Sequence, residues 1–187
     1  METVIYLVRH AESIYAEGNE RNRGLTEEGE KHAFLVRGLL ESEHVEAFFS
    51  SPYERAIATV RPAAEQQGQQ ITLYEDLRER AMGRFEPAAF LDAKKRIYAE
   101  KNFAYPGGEA SWDAQARAVS VVEQLLSTYN GKKLAIGTHG DIMTLIMQHY
   151  DSQYEYTFWA SLSMPDIYRL TFAEKQLTQA ARLWAVN

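Results

Sequence analysis

Two arginines and two histidines stand where apolar runs give way to helices, and that repetition is the chemical signal in this sequence. Val4-Ile5-Tyr6-Leu7-Val8 empties into Arg9-His10. Val45 to Ser50 leads through Ser51-Pro52 to Arg55, and Lys132 to Gly137 ends at Thr138-His139-Gly140. Short apolar runs of this kind predict buried strands of a parallel or mixed sheet. Ligands of open α/β sheets bind at the carboxyl ends of the strands. Arg55 falls in the first turn of its helix, where a cation opposes the helix dipole by a few tenths to about 1 kcal/mol. A bound anion reverses that sign, because helix N-termini and arginine both favour it. Taken singly, Arg55 is explained more simply by an ion pair with Glu54 or a neighbour, and each histidine by backbone hydrogen bonds. Taken together, Arg9, His10, Arg55, His139 and Gly140 describe a phosphate pocket.

The elements that must position these groups follow in chain order. Leu25-Thr26-Glu27-Glu28-Gly29 opens a helix to about Leu40, with Thr26 as its cap. Ser51-Pro52-Tyr53-Glu54 has the form of a capping box with proline at the first helical position, starting a helix to about Gln66. Gln70 to Tyr74 is a short strand, and Pro87 to Glu100 a helix. Ser111-Trp112-Asp113 begins a long amphipathic helix that ends at Asn130-Gly131, and another helix follows His139. Ile167 to Phe172 and Leu177 to Trp184 alternate as an antiparallel hairpin with a turn near Glu174-Lys175. The expected architecture is one α/β domain over residues 1–187. It is a three-layer α/β/α sandwich with a mostly parallel mixed sheet, an antiparallel edge strand, and a small cap-like insert around 80–110.

Composition narrows the classes. A net charge of -6 argues against a general nucleic-acid or membrane-surface binder. The absence of cysteine excludes thiol nucleophiles, iron–sulfur clusters and thiolate zinc sites. Met1-Glu2-Thr3 runs straight into the first strand without a basic leader, and no apolar stretch reaches the roughly 18 to 20 residues of a membrane span. A cytoplasmic protein is the expectation. A homodimer through the C-terminal hairpin, near Trp159 and Trp184, stays open.

Leu7-Val8-Arg9-His10-Ala11-Glu12-Ser13 resembles the N-terminal signature of the histidine phosphatase superfamily, which includes the phosphoglycerate mutases. Leu25-Thr26-Glu27-Glu28-Gly29 resembles its next element, and Ser50-Ser51-Pro52-Tyr53-Glu54-Arg55-Ala56 the segment with its second arginine. Leu77-Arg78-Glu79, followed by Gly83, resembles its acid-bearing loop, and Thr138-His139-Gly140-Asp141 its second histidine. The segments occur in the family's order.

The resemblance implies a phosphatase that hydrolyses a small phosphorylated metabolite through a phosphohistidine, without metal or other cofactor. His10 would be the nucleophile. Arg9, Arg55 and His139 would hold the phosphoryl charge, with Gly140 beside them, and Glu79 would be the proton donor. Glu75, Asp76 and Glu86 compete with Glu79 for that role. Ser13, Asn22, Arg23 and Gly24 are the candidate substrate contacts. A His10, His139 and Asp141 metal site is disfavoured by the two nearby arginines. His32, His44 and His149 read as structural or exposed. Two positions depart from the family: Ala11 stands where glycine is frequent, and Ala16 where many members have asparagine. A cofactor-dependent phosphoglycerate mutase and a non-catalytic phosphate-binding regulator are the alternatives. The shortness of the insert favours hydrolysis over mutase chemistry. Its aromatics with basic residues (Phe85, Phe90, Tyr98, Phe103 and Tyr105 with Arg84, Lys94, Lys95 and Arg96) suit either a sizeable leaving group or ordinary helix packing.

Overall fold

The computed structural model describes residues 1–15 and 18–185. Ala16 therefore lies outside the described residues. Strand β1 (Glu2–Arg9) is central, and Ile5, Tyr6, Leu7 and Val8 are all fully buried. Its alternation sends Ile5 and Leu7 to one face and Tyr6 and Val8 to the other, each into its own apolar cluster. That is why the segment reads as continuously apolar: the strand is covered on both sides.

Helices α1 (Glu27–Ser42) and α2 (Glu54–Gln66) supply Val36, Leu40, Val60, Ala63 and Ala64 to one cluster. Helices α4 (Ser111–Thr128) and α5 (Gly140–Tyr150) supply Val122, Leu125, Ile142 and Ile146 to the other. Two helical layers thus enclose one sheet, as expected.

The remaining strands are β2 (Ala47–Ser50), β3 (Ile71–Leu73), β4 (Lys133–Thr138), β5 (Asp166–Ala173) and β6 (Gln176–Arg182). Their spatial order is β3-β2-β4-β1-β5-β6. β1, β2, β3 and β4 pair in parallel, whereas β5 runs antiparallel to both β1 and β6. The antiparallel part is thus a hairpin at one edge, turning at Glu174 with φ 56°.

Register brings the chemistry together. Arg9 lies opposite Thr138 and Ser50 opposite Gly137, so the strand ends carrying His10, His139 and Ser51 are flush. The His10 amide donates to the Thr138 carbonyl at 3.0 Å, and the Ser51 amide to Gly137 at 2.9 Å.

Two local expectations differ from the structure. Ser51 does not cap α2, which begins at Glu54 after Tyr53, with no side-chain cap. The Ser51 hydroxyl accepts the Tyr53 amide at 3.2 Å and shares a 2.7 Å hydrogen bond with His139, so the buried histidine competes for the capping group. Pro52 consequently stands before the helix. The other difference is helix α6 (Tyr156–Ser161), absent from the sequence reading and the carrier of Trp159. The insert folds as a 3-10 turn at Pro87–Ala89 running into α3 (Phe90–Ala99). Among the described residues, no helix is long and apolar enough to cross a membrane.

Candidate active site

A cavity of about 540 Å³ opens at the carboxyl edge of the sheet, and Arg9, His10, Arg55 and Glu79 all line it. His10 is its chemical centre. The ring Nδ1 lies 2.8 Å from the Ala11 carbonyl, an oxygen that can only accept. The Nε–H of Arg55 points at Nε2 over 3.2 Å and can only donate. Both contacts demand the same tautomer: the proton on Nδ1 and a lone pair on Nε2. Burial, reinforced by the Arg55 charge, pushes the imidazole pKa down to about 3. Ala11, one of the two family departures, is fully buried, and its amide donates to Thr59 Oγ1 at 2.9 Å.

Arg55 is buried. Its Nη1 donates to the Glu20 carbonyl at 2.6 Å, and Nη2 faces the Glu20 carboxylate at 3.3 Å. Glu54 pairs instead with Arg61 at 2.8 Å. Arg9 is anchored by the Leu162 and Ser163 carbonyls at 2.9 and 3.2 Å. A Cβ added at Gly140 would sit 3.2 Å from the Arg9 Cζ, so glycine lets α5 start against the guanidinium. His139 is fully buried and is not among the cavity-lining residues, its ring 5.4 Å from His10 and 5.2 Å from Tyr53. Its Nδ1 has no partner among the described residues, and burial, with His10 next, keeps its pKa well below the usual range.

Glu79 is half-buried. One carboxyl oxygen accepts the Arg80 amide at 2.9 Å, and the other faces the Asp141 amide in the first turn of α5 at 3.3 Å. Burial, seconded by the Asp141 charge, raises its pKa and favours the protonated acid. Its sequence competitors lie elsewhere: Glu75 pairs with Arg21 at 2.6 Å, Asp76 with Arg78 at 3.4 Å, and Glu86 does not line the cavity.

Asp141 also lines the cavity, at the edge of a buried charged cluster. Lys94 of α3 bonds one oxygen, Tyr98 donates to the other at 2.8 Å, and Arg80 lies 3.7 Å away. Burial alone would raise its pKa, but Lys94 and Arg80 outweigh it and hold the group ionised. With both oxygens so engaged, Asp141 is a poor partner for a metal shared with the histidines.

Of the candidate substrate contacts, Ser13 and Arg23 line the cavity and bond one another at 3.0 Å. Asn22 is exposed outside it, and Gly24 instead offers its carbonyl to the Ile14 amide at 3.0 Å. His32, His44 and His149 do not line it. Sequence reasoning did not place Glu12, Glu20, Tyr53, Arg80, Met82, Trp159 or Met164 in the cavity wall, where they stand with Phe90 and Lys94. Lys94 was legible in principle, since it shares the buried stripe of α3 with Ile97 and Tyr98 at helical spacing.

The family model for the histidine phosphatase superfamily (branch 1) matches residues 5–184. The chain belongs to that superfamily. With it comes the activity class, a phosphoric monoester hydrolase. The protein named "Putative phosphoserine phosphatase 2" from Hydrogenobacter thermophilus is 27% identical over 154 residues, covering 76% of each chain. A mycobacterial glucosyl-3-phosphoglycerate phosphatase superposes with a TM-score of 0.75 at 18% identity, over 97% of both chains. A mutant phosphoserine phosphatase from Entamoeba histolytica, solved with phosphoserine, gives a TM-score of 0.75 at 19% identity, over 95% of this chain and 96% of that one. These two structural likenesses carry the fold.

Proposed function

We propose that this histidine phosphatase hydrolyses a small organic phosphate monoester, without a metal, through a phosphohistidine at His10. The observation that carries the reading is the ring's fixed tautomer, with Nδ1–H held by the Ala11 carbonyl and the Nε2 lone pair facing the cavity-lining Arg55. In the first step Nε2 forms a bond to phosphorus while the ester P–O bond breaks, and the Glu79 carboxyl gives its proton to the departing oxygen. Arg9, Arg55 and Nδ1 of His139 hold the charge on the phosphoryl oxygens. In the second step water attacks phosphorus, its proton passes to the Glu79 carboxylate, and the N–P bond returns its electrons to Nε2.

Residues 80–110 act in this reading as a small cap on a single domain, contributing Phe90 and Lys94 to the wall. The partner is a small phosphorylated metabolite, and a cytoplasmic location is part of the same proposal.

The test is turnover of p-nitrophenyl phosphate in the presence of chelator, with His10→Ala as control and rapid acid-free quenching to trap the phosphoenzyme. Wild-type turnover with label on His10 is expected. Equal rates for wild type and variant would sink the proposal, and isomerisation of 3-phosphoglycerate without phosphate release would assign a mutase instead.

A further inference from the structure

The side of the cavity beyond Glu79 is where the leaving group must lie, because Glu79 protonates the oxygen that departs. Three apolar side chains from separate segments line the cavity, and two of them, Phe90 and Trp159, stand against Lys94, which bonds Asp141 beside Glu79. Phe90 opens α3, Trp159 sits in α6, and Met164 lies in the connection to β5. Phe90 and Met164 are 41% and 46% exposed, an unfavourable place for large apolar groups unless something covers them. The two rings stand 6.3 Å apart at 55°, a half-open clamp and not a closed stack.

Both cations on that side are paired with Asp141. Lys94 is buried and bonded to Asp141, and its ammonium lies 4.7 Å from the Trp159 ring centre. The Arg80 side chain is buried in the cavity wall, bonded to Ser111, stacked on Tyr98 at 5.2 Å and paired with Asp141 at 3.7 Å, while its Nε and Nη2 make no hydrogen bond among the described residues. Across the whole cavity five cationic side chains face four carboxyl groups. With Glu79 protonated the surplus is two positive charges, which one phosphate dianion neutralises. A second anion on the leaving group would leave the cavity with an excess of negative charge.

Resting on the phosphatase reading above, we infer that the leaving alcohol of this enzyme's substrate is uncharged and carries an aromatic or similarly flat apolar group, seated between Phe90, Trp159 and Met164. The chain would thereby differ in substrate class from proteins named for phosphoserine or phosphoglycerate.

Three alkyl esters with similarly poor leaving groups test this: 2-phenylethyl phosphate, ethyl phosphate and 3-phosphoglycerate. The kcat/KM for 2-phenylethyl phosphate is expected to exceed both others by about tenfold to a hundredfold, the scale on which an apolar pocket discriminates. In Trp159→Ala the ratio to ethyl phosphate should fall towards one, and Phe90→Ala, at the exposed rim, gives the same readout if the first variant does not fold. Hydrolysis of ethyl phosphate with a ratio near one, or a preference for 3-phosphoglycerate, overturns this inference and leaves the phosphatase intact. If no ester turns over, the phosphatase reading fails by itself. Calorimetry of benzylphosphonate against methylphosphonate then decides the subsite: tighter binding of the benzyl compound supports it, and equal binding overturns it.

Discussion

The Nε–H of Arg55 donates to Nε2 of His10 across 3.2 Å, so the arginine proposed to bind phosphate and the atom proposed as nucleophile stand in register. Arginine reaches this geometry because its Nε–H leaves the terminal nitrogens free for other partners, here Glu20. Arg55→Lys keeps the charge but cannot occupy both places. It should lower kcat/KM for p-nitrophenyl phosphate by about 10²-fold. A loss below threefold would remove Arg55 from the phosphate site.

The role of Glu79 can be read from the leaving group. An alkoxide needs a proton far more than a nitrophenolate does. Glu79→Gln should therefore slow an alkyl ester by about 10²- to 10⁴-fold and p-nitrophenyl phosphate much less. Equal slowing of both esters would place Glu79 in binding and not in proton transfer.

The rate profile with pH follows from the same two groups. His10 keeps its lone pair down to about pH 3, so the acidic limb should reach well below the ordinary histidine range. The raised Glu79 must hold its proton, so activity should fall on the alkaline side as it ionises. A kcat/KM profile that falls with a pKa near 6.5 on the acidic side would contradict the buried neutral imidazole.

Stability carries a separate sign. His10 and His139 are depressed in the folded chain, so between their usual value near 6.5 and their folded values the unfolded chain binds more protons. Their contribution is complete above about pH 6.5 and is lost as pH falls, at roughly 1.4 kcal/mol per pH unit for each histidine. Glu79 works oppositely: its raised value makes its contribution complete below its unfolded value of 4.5 and lost as pH rises through the folded value. Two groups against one give a net loss towards acid. Denaturant titrations at pH 7 and pH 5 should show lower stability at pH 5, and the opposite order would refute the assignment.

Gly29 offers a purely steric test. A Cβ there would meet the Glu12 carbonyl oxygen at 2.1 Å, because α1 packs directly on the chain that follows His10. That carbonyl also accepts the Thr26 amide at 3.0 Å, so it has little room to retreat. Gly29→Ala should destabilise by about 1–3 kcal/mol, measured as a lower denaturation midpoint.

Much of this geometry was written in local sequence. The doubly covered β1, the Thr26 cap and the strand-end histidines each follow from residue types within a few positions. Register then needs no extra information, since parallel strands carrying polar groups at their ends align them at one edge. What local sequence does not encode is reach across the fold. Trp159 meets Phe90, and Met164 joins them in the cavity wall, only because the chain after α5 returns over the cavity. The Ser51 hydroxyl follows the same logic: local pattern assigns it to a helix, and a histidine 88 residues away claims it.

The hydrogen bond from the His10 ring to its own neighbour's carbonyl has a kinetic consequence. A histidine whose tautomer depends on solvent must be reset after every turnover. Here the 2.8 Å contact to Ala11 is built from adjacent residues, so in the proposed cycle a group on Nε2 need not displace it. The ring therefore begins each cycle in the form in which it ended the last. In the proposed reaction proton traffic is left to the Glu79 carboxyl group alone, and a proton inventory of turnover should register one mobile site.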